Sequence, residues 1–298
     1  MICEKPIAVH KADAEKMNLA HGKHPDLVFS EMFQMRTDKN FIEIKRKIES
    51  GELGGIYRVT WIITDWFRPQ IYYNNGDWRA SWKGEGGGVL LNQAAHQLDL
   101  FQWLFGMPTK VRAYCTFGKY HDIEVEDNVT AYCEFKEGFS GLFITSTGES
   151  PGTNRLEIMA DRGRLVFENG KIIIDKTEES VSRFLKSTKI SHGVTPVKSI
   201  EVKAEGKEGV HQNIIENFAD AILNGAELIV DGENGIKSVE LANSFIYSAL
   251  KGEEVNLPLN SAEFKKVLDN LIANSTFEKP EEVKATDDIS SSYNKTNK

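Results

Sequence analysis

The feature that most restricts the fold of this chain lies between residues 110 and 175, where short β-branched and aromatic segments are separated by compact turn signals. Lys136-Glu137-Gly138, Asp161-Arg162-Gly163 and Asn169-Gly170 each offer the left-handed backbone that a tight hairpin turn demands. Strands joined this way run antiparallel, because a parallel neighbour requires a long crossover. The pattern predicts strands over 110–117, 128–135, 139–147, 155–160, 163–168 and 171–175, with an earlier one at 56–64. Helical periodicity brackets them: 41–50 before, with Phe41, Ile44 and Ile48 on one side, and 210–223, 232–251 and 261–274 after. The expected body is an α+β domain over 37–276, a large, mainly antiparallel open sheet covered by helices on one face.

Residues 1–36 have a different rhythm. Ile2 and Cys3 end a strand before Pro6, 11–21 has helical character, and 26–36 reads as a second strand. This is one α/β unit, too little for a doubly wound domain, so a preceding portion is expected. From about Phe277 apolar residues all but vanish, and 277–298 is expected to be a disordered polar tail.

Charge and cysteine content narrow the function classes. A net charge of −8 with no basic block interleaved with aromatics argues against nucleic acid, and no apolar run approaches a membrane span. Cys3, Cys115 and Cys133 are odd in number and form no Cys-x-x-Cys pair, so they are expected to be reduced thiols and not a disulfide framework or zinc knot. The first residues lack the charged and apolar regions of a secretory leader, and a cytoplasmic location is expected.

Candidate chemistry gathers on 84–106. The glycines at 84 and 86–88 lead into an expected amphipathic helix ending at Gly106, on which Asn92, His96 and Asp99 share one face while Ala94, Leu98, Phe101 and Phe105 form an apolar stripe on another. These glycines are not a dinucleotide fingerprint, whose third glycine would fall on Val89; they are expected to give the backbone room close to a substrate. Trp66, Arg68, Tyr72, Trp78 and Arg79, mixed with Asn74, Asn75 and Asp77, have the composition of a sugar pocket, in which rings stack on C–H faces and polar groups hold hydroxyls. The acidic run His121, Asp122, Glu124, Glu126, Asp127 is contiguous in one loop and reads as solvated, with no metal site expected. Lys5, in Glu4-Lys5-Pro6 at a strand end, could present its ammonium into a cleft at the sheet's carboxyl edge.

Taken together, Glu4-Lys5-Pro6 followed by Gly-Gly-Gly-Val-Leu-Leu-Asn-x-x-x-His-x-x-Asp at 86–99 resembles the Gfo/Idh/MocA family of oxidoreductases, over essentially residues 1–275. The resemblance implies an N-terminal Rossmann domain that binds NAD or NADP and a sheet domain that supplies the substrate site and a dimer or tetramer interface. On that basis 1–36 is the C-terminal remnant of the dinucleotide-binding domain, and the chain alone is expected to bind cofactor poorly. Glu4, Lys5, Pro6 and Gln34 are the implied cofactor contacts. Lys5 matches a lysine lying between nicotinamide and substrate, and His96 matches a general base that accepts the hydroxyl proton as hydride leaves the same carbon. Asn92 stands where the family often has Asp and can orient a hydroxyl but not take up its proton. Trp66, Arg68, Tyr72, Trp78, Arg79 and Asp99 are the expected substrate contacts. The implied activity is NAD(P)-dependent oxidation of a secondary hydroxyl of a sugar, glycoside or cyclitol. A glycoside-cleaving enzyme that oxidises transiently and a non-enzymatic sugar sensor are the alternatives.

Overall fold

The computed structural model describes residues 1–279. In chain order the elements are β1 (Ile2–Cys3), α1 (Lys11–His21), β2 (Ser30–Glu31), α2 (Lys39–Glu49), β3 (Ile56–Ile63), α3 (Gln70–Asn74), α4 (Ala95–Phe105), β4 (Lys110–Phe117), β5 (Glu126–Glu134) and β6 (Ser140–Ser146). They continue with β7 (Asn154–Ala160), β8 (Gly163–Glu168), β9 (Lys171–Thr177), α5 (Val181–Ser187), β10 (Val197–Val202), α6 (His211–Asn224), α7 (Gly235–Lys251), β11 (Val255–Asn256) and α8 (Ser261–Asn274).

The hairpin turns close as their residues demand: Asn169 and Gly170 both take positive φ, and Ala160↔Gly163 closes the β7–β8 turn. The result is one nine-stranded sheet in the order β10-β9-β8-β7-β3-β6-β5-β4-β11. Every neighbouring pair is antiparallel except β3 and β6, which run parallel with Arg58 opposite Ser140 and Ile63 opposite Thr145. The expected large, mainly antiparallel sheet is therefore present.

Strand alternation sorts the two faces. Val59, Trp61 and Ile63 of β3, Val129, Ala131 and Cys133 of β5, and Phe143 of β6 point into the main core with Phe101 and Phe105 of α4 and Phe245 of α7. Phe101 meets Phe105, Phe135 and Phe143 edge-on or tilted, at ring separations of 5.5, 6.0 and 5.6 Å, so α4 is fixed to the sheet by aromatic packing. The opposite face carries the exposed Tyr114 and Tyr132 and the Arg58–Glu157, Arg155–Glu168 and Arg164–Asp175 ion pairs.

The N-terminal unit is a β-α-β turn in which β1 and β2 pair in parallel, Ile2 with Ser30 and Cys3 with Glu31. It is joined to the body by burial. Lys11 of α1 donates to Glu240 Oε1 of α7 and to the Leu259 carbonyl, each at 2.8 Å, while Ile7, Ala14, Phe29 and Val239 form a small core between them. The strand expected over 26–36 is only Ser30–Glu31, and Gln34–Thr37 instead makes a 3₁₀ turn that carries Gln34 and Arg36 inward. The polar tail expected at 277–298 lies outside the described residues from 280 onward; Phe277 packs against the main core. Among the described residues no helix is long and apolar enough to cross a membrane.

Candidate active site

The helix expected to follow the glycines, carry Asn92, His96 and Asp99 and end at Gly106 begins later than Asn92. Only Ala95–Phe105 is helical, and 81–94 is a series of turns closed by Glu85 N–H to the Ser81 carbonyl, Asn92 N–H to Gly88 and Ala94 N–H to Val89, at 2.9, 3.0 and 2.8 Å. Between the glycines and α4 the chain is held by β5 instead, Val89 N–H to the Glu126 carbonyl at 2.9 Å and Leu90 N–H to its carboxylate at 3.1 Å, and the glycines at 84 and 86–88 pack against protein. They make room for protein, not for ligand, contrary to expectation. A Cβ at Gly86, where φ is +68°, would lie 1.9 Å from Val9 Cγ1, and one at Gly88 would lie 2.1 Å from the Glu126 carbonyl oxygen. Asn92 thus sits in a turn, not on the helical face of His96 and Asp99.

The turns bring Asn92 to Lys5. The Lys5 ammonium donates to the Asn92 carbonyl oxygen at 2.7 Å. Burial lowers the Lys5 pKa from the usual lysine range, and the charges of Glu4 and Glu85 partly restore it. The Asn92 side-chain amide donates both hydrogens, to Glu85 Oε1 at 2.6 Å and to the Tyr72 hydroxyl at 3.2 Å, and Gln93 donates to the same hydroxyl at 3.1 Å. Tyr72 is in turn clasped by two guanidinium groups, Arg68 at 5.2 Å and Arg79 at 4.6 Å from the ring centre. Arg68 also lies over Trp66, and Arg79 over Trp78, at 5.6 and 4.3 Å.

His96, in the first turn of α4, lies edge-on to Phe33 at 6.0 Å, with the Gln34 side-chain amide 3.5 Å from Nε2. Its Nδ1 and the Gln34 Oε1 are buried without hydrogen-bond partners. Burial, then the positive charges of Lys5 and His211, lower its pKa to about 3, so the ring is neutral at physiological pH.

Of the expected site residues, Lys5, Asn92, Tyr72, Arg68 and Arg79 form one contiguous cluster, with Trp66 and Trp78 on its arginines and the His96–Gln34 pair coupled to Lys5 by charge. Pro6 is half-buried and Glu4 is exposed. Asp99 does not join them. It is fully buried, takes a bidentate pair from Arg36 at 2.8 and 2.5 Å and a bond from Gln102 at 2.9 Å, and so braces α4 against the 3₁₀ turn bearing Gln34.

Sequence reasoning missed Glu85, whose only signal was a lone acid inside the glycine run. It is 6% exposed, accepts from Asn92 and from the Ala80 N–H, and burial raises its pKa to about 7. The acidic run was also misread as solvated. His121, Glu126 and Asp127 are buried; Asp127 accepts from the amides of Lys119, Tyr120 and His121, while His121 bridges Asp127 at 2.9 Å to the Arg68 carbonyl at 2.7 Å. Burial alone would raise the Asp127 pKa, but these bonds hold it below the usual carboxylate value. The run therefore anchors the loop that carries Arg68. Among the described residues no group of three or more His, Cys, Asp or Glu side chains could hold a metal ion.

The family description GFO/IDH/MocA C-terminal domain matches residues 41–166, the stretch holding β3, the aromatic loop, α4 and β4–β8 up to Val166. Over that stretch the chain is similar to the C-terminal domain of the Gfo/Idh/MocA family. The chain is 25% identical over 197 residues to the myo-inositol 2-dehydrogenase of Thermotoga maritima, covering 62% of this chain and 55% of that protein. It is 23% identical over 264 residues to the inositol 2-dehydrogenase of Rhizobium meliloti, covering 86% and 73% respectively. Among solved structures, the WlbA dehydrogenase from Bordetella pertussis, in complex with NADH and UDP-GlcNAcA, superposes with a TM-score of 0.69 at 26% identity, over 87% of this chain and 72% of that one. The chain thus spans about half the length of the Thermotoga relative.

Proposed function

We propose that this site oxidises a secondary hydroxyl of a cyclitol or sugar with NAD or NADP as hydride acceptor. The observation that carries the reading is that Lys5, bonded to the Asn92 turn beside the arginine-bracketed Tyr72, is coupled by charge to a neutral histidine whose Nδ1 has no partner. The inositol dehydrogenases and the NADH-bound dehydrogenase it resembles support the substrate class and the cofactor.

The residues beside Lys5 fit a nicotinamide and a hydroxyl: the orphaned Nδ1 of His96 and Oε1 of Gln34 are buried polar atoms that a bound group would satisfy. Glu4, Lys5, Pro6 and Gln34 would hold the nicotinamide end, which supplies hydride acceptance when bound. His96, neutral at physiological pH, accepts the hydroxyl proton. The Gln34 side-chain nitrogen stands 3.5 Å from Nε2, and Nδ1 has no partner in the protein. The Lys5 ammonium stabilises the developing alkoxide, and in a site shielded from water that charge acts strongly. Asn92 orients the hydroxyl, while Trp66, Trp78 and the Arg68–Tyr72–Arg79 stack give the ring faces and donors that a polyol requires. Asp99 acts at one remove, by holding α4. The exposed tyrosine-bearing face of the sheet is the surface we assign to self-association as a dimer or tetramer.

The test is product analysis with NAD or NADP and a panel of cyclitols and hexosides. Ketone and reduced nicotinamide in equal amounts support the dehydrogenase. A released aglycone without net reduced nicotinamide would replace it with the glycoside-cleaving alternative.

A further inference from the structure

We propose that Glu85 is a positioning residue that sets the substrate specificity of this site, by fixing the Asn92 side-chain amide so that its oxygen, and not its nitrogen, faces the substrate. The inference rests on the polyol site proposed above and deepens it.

An asparagine can present either end of its amide, and the choice is made by its neighbours. Here both hydrogens of Asn92 Nδ2 are committed, to Glu85 Oε1 at 2.6 Å and to the Tyr72 hydroxyl at 3.2 Å. Oδ1 has no partner among the described residues, which leaves a hydrogen-bond acceptor as the group on offer. An ionised carboxylate can only accept, so as long as Glu85 is charged the amide cannot turn over without setting oxygen against oxygen. Glu85 is itself rigid: its second oxygen accepts from the Ala80 N–H at 3.0 Å, and Ala80 is held at φ 74° with its carbonyl taking the Glu124 N–H.

A protonated Glu85 reverses the logic. Its O–H would donate to Asn92 Oδ1, the amide would turn, and Nδ2 would face the substrate as a donor. The reacting hydroxyl has one hydrogen, which goes to His96, so Oδ1 takes the hydrogen of a neighbouring hydroxyl of the polyol and leaves the developing alkoxide to the Lys5 cation. The groups facing Glu85 are Lys5 from the segment after β1, Arg79 and Tyr73 from the aromatic loop, Glu126 from β5 and Lys279 near the end of the described chain. Burial outweighs the cations among them and brings the Glu85 pKa to about 7, so both states are within reach of ordinary conditions.

The test uses the full chain labelled with ¹⁵N, with the Asn92 side-chain amide signals identified by their loss in Asn92→Asp. Across the neutral range these signals are expected to move with a single titration in the unsubstituted protein and to stay still in Glu85→Gln, while calorimetric affinity for myo-inositol rises several-fold with pH in the former and not in the latter. Glu85→Asp, which keeps an ionisable carboxyl one methylene shorter, should restore part of the titration, and serves if Glu85→Gln does not fold. Asn92 signals that ignore pH, or that titrate equally in Glu85→Gln, would overturn the proposal. A titration that depends on Glu85 with no myo-inositol or other polyol bound at any pH would overturn the specificity role and the polyol site together, while leaving the Glu85–Asn92 coupling established.

Discussion

The Lys5 ammonium donates to the Asn92 carbonyl oxygen at 2.7 Å across 87 positions of sequence, and this contact joins the N-terminal β-α-β unit to the turn that leads into α4. One bond ties the cation of the proposed reaction to the backbone of the residue that orients the hydroxyl. Lys5→Met removes the charge and leaves most of the apolar stem. It is expected to lower kcat by about 10²-fold or more, the scale of losing one transition-state donor, with a smaller effect on KM. Steady-state kinetics on folded protein check it; equal losses in substrate binding and turnover would instead make Lys5 a substrate holder.

The pH dependence separates two groups. His96, lowered to about 3, does not titrate near neutrality and produces no limb there. Glu85, raised to about 7, does. The profile of kcat/KM is therefore expected to rise through about pH 7, and Glu85→Gln should flatten that rise while His96→Ala lowers the whole curve by about 10²–10⁴-fold.

Stability should also depend on pH, through Glu31. Its carboxyl is wholly buried against Gly235 at the start of α7, neither oxygen has a well-formed hydrogen bond, and burial, with Asp99 adding to it, raises its pKa from 4.5 to about 9. For an acid raised on folding, the folded state keeps its proton after the unfolded chain has released it. Stability is then greatest below about 4.5 and falls as pH rises toward about 9. Glu31→Gln keeps the shape without the titration. It is expected to gain on the order of 1–3 kcal/mol relative to the unsubstituted chain between weakly acid and weakly alkaline pH, measured by denaturant unfolding.

The Arg36–Asp99 pair is fully desolvated, so removing one partner strands the other charge. Arg36→Leu is expected to cost about 3–5 kcal/mol, and the Arg36→Leu/Asp99→Leu double variant distinctly less than the sum of the single changes. Were Asp99 a substrate ligand, Asp99→Asn would raise KM at unchanged stability; the structure leads us to expect the reverse.

The sheet was legible because its information is local: Asn169-Gly170 and Asp161-Arg162-Gly163 specify hairpins by their own backbone preferences, and alternation along β5 and β7 names the buried face. The long helices were legible for the same reason. What failed was decided by contacts distant in sequence. The glycine run looked like freedom next to a ligand, but Val9 and Glu126 fill the space a Cβ would need. The 121–127 run looked solvated because it is acidic, and only the fold shows that Asp127 is met by three amides and an imidazole. Spacing left open whether Asp99 orients the His96 imidazole or anchors the helix, and it could not show Arg36 arriving from a 3₁₀ turn where a strand was expected.

The central claim is that Lys5 and His96 act together to oxidise a polyol hydroxyl. The most direct measurement follows reduced nicotinamide and ketone together, with saturating NAD or NADP and a cyclitol, in a protein that supplies a whole dinucleotide-binding domain ahead of these residues, and in its Lys5→Met and His96→Ala variants. Equal amounts of the two products, cut by about 10²-fold or more in each variant, are the predicted result. Oxidation that proceeds undiminished without His96, or no reduced nicotinamide with any cyclitol or sugar at saturating cofactor, would contradict it.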